Sequence, residues 1–299
     1  MNIVFIHGMN QQQFNALSLR KHWLNIFRQG LKKYHLPFNF DIHQLHFPFY
    51  GDLLTQSHLT NTFDLETFLP KSLLSFHLPV HLNIHHTAIE HQASLSTLHP
   101  DHINTKSIKT QLHEETMLIK DRSLKELMIL LNHFPKLHES LIHKFLVETY
   151  CYLANPQFMH NVHQRILLGI PSQQPCVVVA HSLGSVIAYN LLCNMNADSN
   201  IQCFITLGSP LAFRVIQQRL SMPIHYPESL HGRWYNFYSH DDFLTAFPLQ
   251  KPPFDFNPPI FNQEISTSAL HPHQIRSYLQ HPDVLKTILK VCCPFKNTD

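Results

Sequence analysis

Charged side chains are scarce in this chain: Asp, Glu, Lys and Arg make up 14% of its 299 residues, against about 25% in an ordinary globular chain. The formal net charge is +2, and the acids and bases are scattered, so no basic stripe argues for nucleic acid. No apolar run approaches the length of a membrane span. The N-terminus has no basic region ahead of an apolar stretch, and Met1 leads directly into strand-like sequence, so a cytoplasmic protein without a cleaved signal peptide is expected. The six cysteines show no zinc-site spacing, and Cys292-Cys293 is a poor disulfide pair. Cys176 and Cys203 fall in predicted core strands and Cys193 in a predicted helix, which reads as buried thiols in a reducing compartment. No internal repeat is present.

Histidine is abundant, at 26 residues. Exposed imidazoles protonate near pH ~6.5, so positive charge is expected to rise steeply in mild acid. His77, His81, His85 and His86 have helix-like spacing, but Pro79 interrupts it and neither carboxylate nor cysteine accompanies them. Solvated histidines are the reading there; no metal and no cofactor is expected.

The chain is long enough for a sizeable core. Asn2 to Ile6 reads as a buried strand ending in His7-Gly8-Met9-Asn10, and Phe14 to Tyr34 as an amphipathic helix. Phe38 to Phe47 alternates as a second strand would, and residues 47–52 form an aromatic turn read as core packing. The pattern is then broken by Pro70, Pro79 and Pro100. It becomes helical over Glu114–His133, Leu137–Leu153 and Gln157–Leu168, the last of which can pack directly on a sheet. Further strands are expected at Val177–Val179, Ile201–Leu207, Gly232–Tyr238 and Ile260–Ser266. Helices are expected at Ser185–Leu192, Leu211–Leu220 and from about Gln274 to Val291, interrupted near Pro282. Pro248 to Pro259 marks an extended surface loop. Strands alternating with helices imply an α/β fold with a mostly parallel central sheet covered on both faces. Residues 1–52 and 171–299 form its core, and 53–170 a mostly helical insertion, or cap.

The most informative stretch is Cys176 to Leu192. Val177-Val178-Val179 suits a strand buried on both faces, and Ser185 onward reads as a helix. Between them Ala180-His181-Ser182-Leu183-Gly184 makes a strand–turn–helix elbow that exposes the Ser182 hydroxyl at the top of a sheet. The small Ala180 and Gly184 let strand and helix pass closely. The helix start offers free N–H groups to a developing oxyanion: that of Leu183, complemented by that of Met9 from the loop after the first strand.

A serine hydroxyl needs a base to act as a nucleophile at neutral pH, and the base needs an orienting acid. Both are sought on loops after later strands, at the carboxyl edge of a parallel sheet. Asp242, followed by the apolar pair Phe243-Leu244, is the chosen acid, with Asp241 its rival. His273, in the loop before the last helix, is the chosen base, with His271 its rival. His181 is read as shaping the elbow and not as the base.

These pieces together resemble the α/β-hydrolase superfamily, in its lipase- and esterase-like branch. The matching segments are Val-Phe-Ile-His-Gly at 4–8, Ala-His-Ser-Leu-Gly-Ser at 180–185 and Thr-Leu-Gly-Ser-Pro-Leu at 206–211. Trp234-Tyr235-Asn236 ahead of Asp242, and His273 with Tyr278-Leu279, complete the set. Gln11-Gln12 and Phe49-Tyr50-Gly51-Asp52 are further similar to a group of uncharacterised bacterial hydrolase-like proteins. Ala180 stands where that family has a first glycine, and the short early region implies a sheet lacking the family's first two strands. The resemblance implies a serine hydrolase with Ser182, His273 and Asp242 as its triad. It would cleave a small ester or lipid-like acyl substrate, the latter favoured by the aromatic content. Amidase, peptidase or thioesterase action would use the same residues. The alternative of another class is a binding protein on a hydrolase scaffold, with the 53–170 segment as contact surface. Oligomeric state is left open.

Overall fold

The computed structural model describes residues 1–9, 11, 13–37, 40–53, 148–149, 152–153, 155–171, 174–242, 245 and 247–292. The expected helix Glu114–His133, most of Leu137–Leu153, the histidines from His77 to His86 and the pair Phe243-Leu244 lie outside them.

Six strands form one sheet: β1 (Asn2–Ile6), β2 (Leu45–His46), β3 (Cys176–His181), β4 (Ile201–Leu207), β5 (Leu230–Tyr238) and β6 (Phe261–Glu264). Every neighbouring pair is parallel, and the order is β2-β1-β3-β4-β5-β6. Helices among the described residues include α1 (Ala16–Lys33), α2 (Pro156–Leu167), α3 (Leu183–Cys193), α4 (Arg214–Gln217), α5 (Ile275–Leu279) and α6 (Pro282–Cys292). The architecture is α/β, with a parallel sheet between two helical layers.

The layers follow from the two-residue period of a strand. Ile3, Phe5, Val177, Val179 and Ile205 face one side, where they pack with Trp23 and Phe27 of α1, Tyr278 of α5 and Leu285 of α6. Val4, Ile6, Val178, Ala180 and Phe204 face the other, against Phe158, Val162 and Ile166 of α2 and Val186 and Ile187 of α3. Because both faces are covered, the central strands are apolar throughout; all six residues of β3 are buried. Cys176 and Cys203 are buried free thiols, as expected. The helix expected from Gln157 therefore exists and lies directly on the sheet.

Two expectations are corrected. Over the described part of Phe38–Phe47, only Leu45 and His46 are strand; Asp41 accepts the His43 N–H and opens a 3₁₀ turn at Ile42–Gln44 instead. The helix expected at Leu211–Leu220 is two short pieces. Ser209 caps a 3₁₀ turn at Pro210–Ala212, and extended Phe213 separates it from α4. The C-terminal helix is interrupted as expected, between Leu279 and Pro282. Helix α1 begins at a reciprocal cap in which Asn15 and Ser18 bond each other's backbone N–H.

The chain leaves β1 for β2 on one side, then crosses to β3 on the other. That reversal falls at the carboxyl ends of β1 and β3, the place at which open parallel sheets bind ligands. Among the described residues, no helix is long and apolar enough to cross a membrane.

Candidate active site

Ser182, expected with its hydroxyl exposed, is buried here, because Gly8 and His273 pack against it. Ser182 sits between the last residue of β3 and the first of α3, at φ 55° and ψ −131°, a region that costs a non-glycine residue about 1–3 kcal/mol. Its surroundings hold it there. The Ser182 N–H donates to Leu207 O at 3.0 Å, extending the β3–β4 ladder, and its carbonyl accepts the Ser185 N–H at 2.9 Å. The Ser185 hydroxyl donates to the same carbonyl at 2.6 Å and meets the Ser209 hydroxyl at 2.7 Å. Gly184 permits the elbow: a Cβ there would lie 2.3 Å from His7 O and 2.6 Å from Ile6 O. The helix thus starts directly against the end of β1.

His273 reaches this serine from the loop between β6 and α5. Its Nε2 lies 2.7 Å from Ser182 Oγ, and its Nδ1 lies 2.7 Å from Asp242 Oδ2. A carboxylate only accepts, so Nδ1 carries the hydrogen, and Nε2 is left to accept from the serine hydroxyl. Asp242 is fully buried. It stands in the turn after β5, with its N–H bonded to Ser239 O and its carbonyl accepting the Thr245 N–H. The His273 side chain keeps 13% of its surface accessible, so the imidazole is the open edge of the group.

The rival residues stand elsewhere. Asp241 is exposed, and its N–H bonds Ser239 Oγ. His271 is exposed too, and its carbonyl accepts from Ser277 Oγ and the Gln274 N–H. Met9 and Leu183 are both buried, and Gln11 Nε2 donates to Met9 O at 3.2 Å.

Three partnerships escaped the sequence reading. The Tyr278 hydroxyl donates to Asp242 Oδ2 at 2.6 Å, the same oxygen that faces His273, and meets Thr245 Oγ1 at 2.9 Å. Burial, with Asp242 adjacent, pushes the Tyr278 phenol well above its ordinary range, so it stays a donor. Tyr50 bonds His7 twice, its hydroxyl donating to His7 O and its N–H to His7 Nε2, and stacks on that ring at 3.8 Å. The third is the link from His181 to the backbone carbonyl of His273. Tyr278 follows His273 by less than two helical turns, which is a usable signal; the other two depend on packing between distant segments.

Burial holds several histidines neutral. His7 is pushed down to about 4, with the Gly8 carbonyl and Asp52 opposing. His163 is likewise pushed to about 4, by burial and then by nearby His160; its Nε2 accepts the Tyr152 hydroxyl at 2.6 Å. Among the described residues no cluster of His, Cys, Asp and Glu could hold a metal ion.

The fold and site define a parallel α/β protein with a serine, an imidazole and a buried carboxylate in one hydrogen-bonded line. No protein-family profile matches the chain, and no curated protein matches it either.

Proposed function

We propose that this chain is a serine hydrolase on an α/β-hydrolase fold, cleaving a carboxylic ester through an acyl-enzyme. One observation carries the reading. Ser182 and His273 are 91 residues apart, and His273 and Asp242 are 31 apart, yet they are joined by two consecutive 2.7 Å hydrogen bonds. The tautomer those bonds require is the one a general base needs. The left-handed φ of Ser182 and its position at the switch of the strand order add support.

In this mechanism the Ser182 oxygen attacks the ester carbonyl as its proton passes to His273 Nε2. Asp242 stabilises the imidazolium and keeps it oriented. The carbonyl electrons move onto oxygen, and the N–H groups of Met9 and Leu183 hold that oxyanion; the N–H of Leu183, at the start of α3, is not consumed within the helix. The tetrahedral adduct collapses, the C–O bond to the alcohol breaks, and His273 returns its proton to the leaving oxygen. Water, deprotonated by the same imidazole, then releases the acid and restores the serine.

A fluorophosphonate probe tests this. Folded wild-type protein is expected to be labelled and Ser182→Ala is not, with ester turnover in the variant lower by about 10⁴-fold or more. Failure of the folded wild-type chain to label would end the reading. p-Nitrophenyl esters of increasing chain length, a p-nitroanilide and a thioester then separate esterase from amidase and thioesterase action.

A further inference from the structure

His181 is the last residue of β3, directly before Ser182. Its Nε2 lies 3.0 Å from the backbone carbonyl oxygen of His273. That carbonyl can only accept, so Nε2 carries the hydrogen. The ring is hemmed in, with centroids 5.0 Å from His273, 5.8 Å from Tyr278 and 6.4 Å from Trp23. Its Nδ1 edge faces Gly8, where an added Cβ would come within 3.3 Å of Nδ1. Burial, then the neighbouring His273, pushes its pKa well below the ordinary histidine range. His181 is therefore a neutral imidazole offering one donor.

The loop that carries His273 needs an anchor. His271 and Gln274, on either side, are exposed. The bonds from Gln274 N–H and Ser277 Oγ to His271 O connect the loop to its own helix; the bond from His181 connects it to the central strand. It does so at the residue whose imidazole has to meet two partners at once. A misplacement of ~1 Å in such a group costs about 10²-fold in rate.

We infer that His181 is a positioning residue, fixing the backbone of His273 so that its imidazole meets Ser182 and Asp242 together. The consequence for rate rests on the serine hydrolase reading; the consequence for geometry does not. The test therefore has two readouts on the full chain, in His181→Phe, which keeps an aromatic ring without the donor, and His181→Gln, whose amide nitrogen can replace it. The first readout is the far-downfield proton resonance of His273 Nδ1–H against Asp242, in protein with ¹⁵N-labelled histidine, assigned by its loss in His273→Asn. It should persist in wild type and His181→Gln and broaden away in His181→Phe. The second is fluorophosphonate labelling. At saturating probe, His181→Phe should label about ten- to a hundredfold more slowly, with half-saturation within about threefold of wild type, and His181→Gln should recover most of the rate. If His181→Phe does not fold, His181→Met removes the donor with a flexible chain. A resonance that survives loss of the donor, or equal damage from Gln and Phe, overturns the inference. The expected resonance pattern in a wild-type chain that does not label would uphold the positioning role while refuting the hydrolase.

Discussion

β1 and β3 lie side by side with Ile6 opposite Ala180, and the next residue along each is a histidine. His7 and His181 are both buried and both kept neutral chiefly by that burial. Their tasks differ. His7 turns its Nδ1–H onto Gly8 O at 2.8 Å, while its Nε2 accepts the Tyr50 N–H, so it ties together the loops after β1 and β2. His181 reaches the opposite way, to the carbonyl of His273, and ties β3 to the loop after β6. A neutral imidazole is a short connector with one donor and one acceptor. What it organises is decided by whose backbone it faces, and the two strand ends face different neighbours.

The sharpest way to break this pairing is Gly184→Ala. The new Cβ would meet the carbonyls of His7 and Ile6 at 2.3 and 2.6 Å, forcing the start of α3 away from the end of β1. A loss of about 4 kcal/mol is expected in urea denaturation; a loss under about 1 kcal/mol would show that the helix does not start against that strand end. Acid should follow. The folded chain keeps His7 unprotonated down to about pH 4, whereas an unfolded histidine takes a proton near pH ~6.5. The unfolded state thus binds more protons in that window, and stability is full above it and falls as the pH drops through it. His7 alone accounts for about 3 kcal/mol, and His163 acts in the same sense. Denaturation midpoints at neutral pH and at pH ~5 measure the fall, and His7→Gln should flatten it. Tyr278→Phe comes next. Removing the hydroxyl from Asp242 Oδ2 takes one donor from a buried carboxylate, at a cost of about 2 kcal/mol in stability and about tenfold in the proposed ester turnover. Denaturation and steady-state kinetics read these two effects. Tyr50→Phe is the mildest: the ring stack on His7 remains and one neutral hydrogen bond is lost, so about 1 kcal/mol is expected in the same denaturation assay. If it slows labelling of Ser182 as much as Tyr278→Phe does, the loop after β1 is as critical as the acid's support.

The elbow was legible because its signals are local. A β-branched run buried on both faces, a one-residue turn and a glycine where helix meets strand all fall within Val177 to Gly184. Asp242 is favoured over Asp241 by the apolar pair that follows it, and His273 and His271 are singled out by their place before the last helix; the structure brings Asp242 and His273 to Ser182 while leaving both rivals exposed. Where local chemistry competed with pattern, pattern misled. Asp41 caps a turn inside what alternates like a strand, and Phe213 breaks an apolar stretch that reads as one helix. The roles of Tyr50 and His181 were illegible for another reason. Each depends on a polar group of a distant segment arriving at one ring edge, and nothing in the spacing of a single chain records that meeting.

The strand order also governs how the molecule is made. Of the strands made soon after β1, only the two residues of β2 pair with it; the long ladder with β3 begins at Asn2 opposite Cys176. Until β3 is made, Ile3-Val4-Phe5-Ile6 lacks its partner on that side and is an apolar edge open to wrong partners. His273 is made later still, so a nascent chain stalled before it carries the sticky strand without the imidazole that meets Ser182. Such a topology places a heavy demand on holding factors during synthesis.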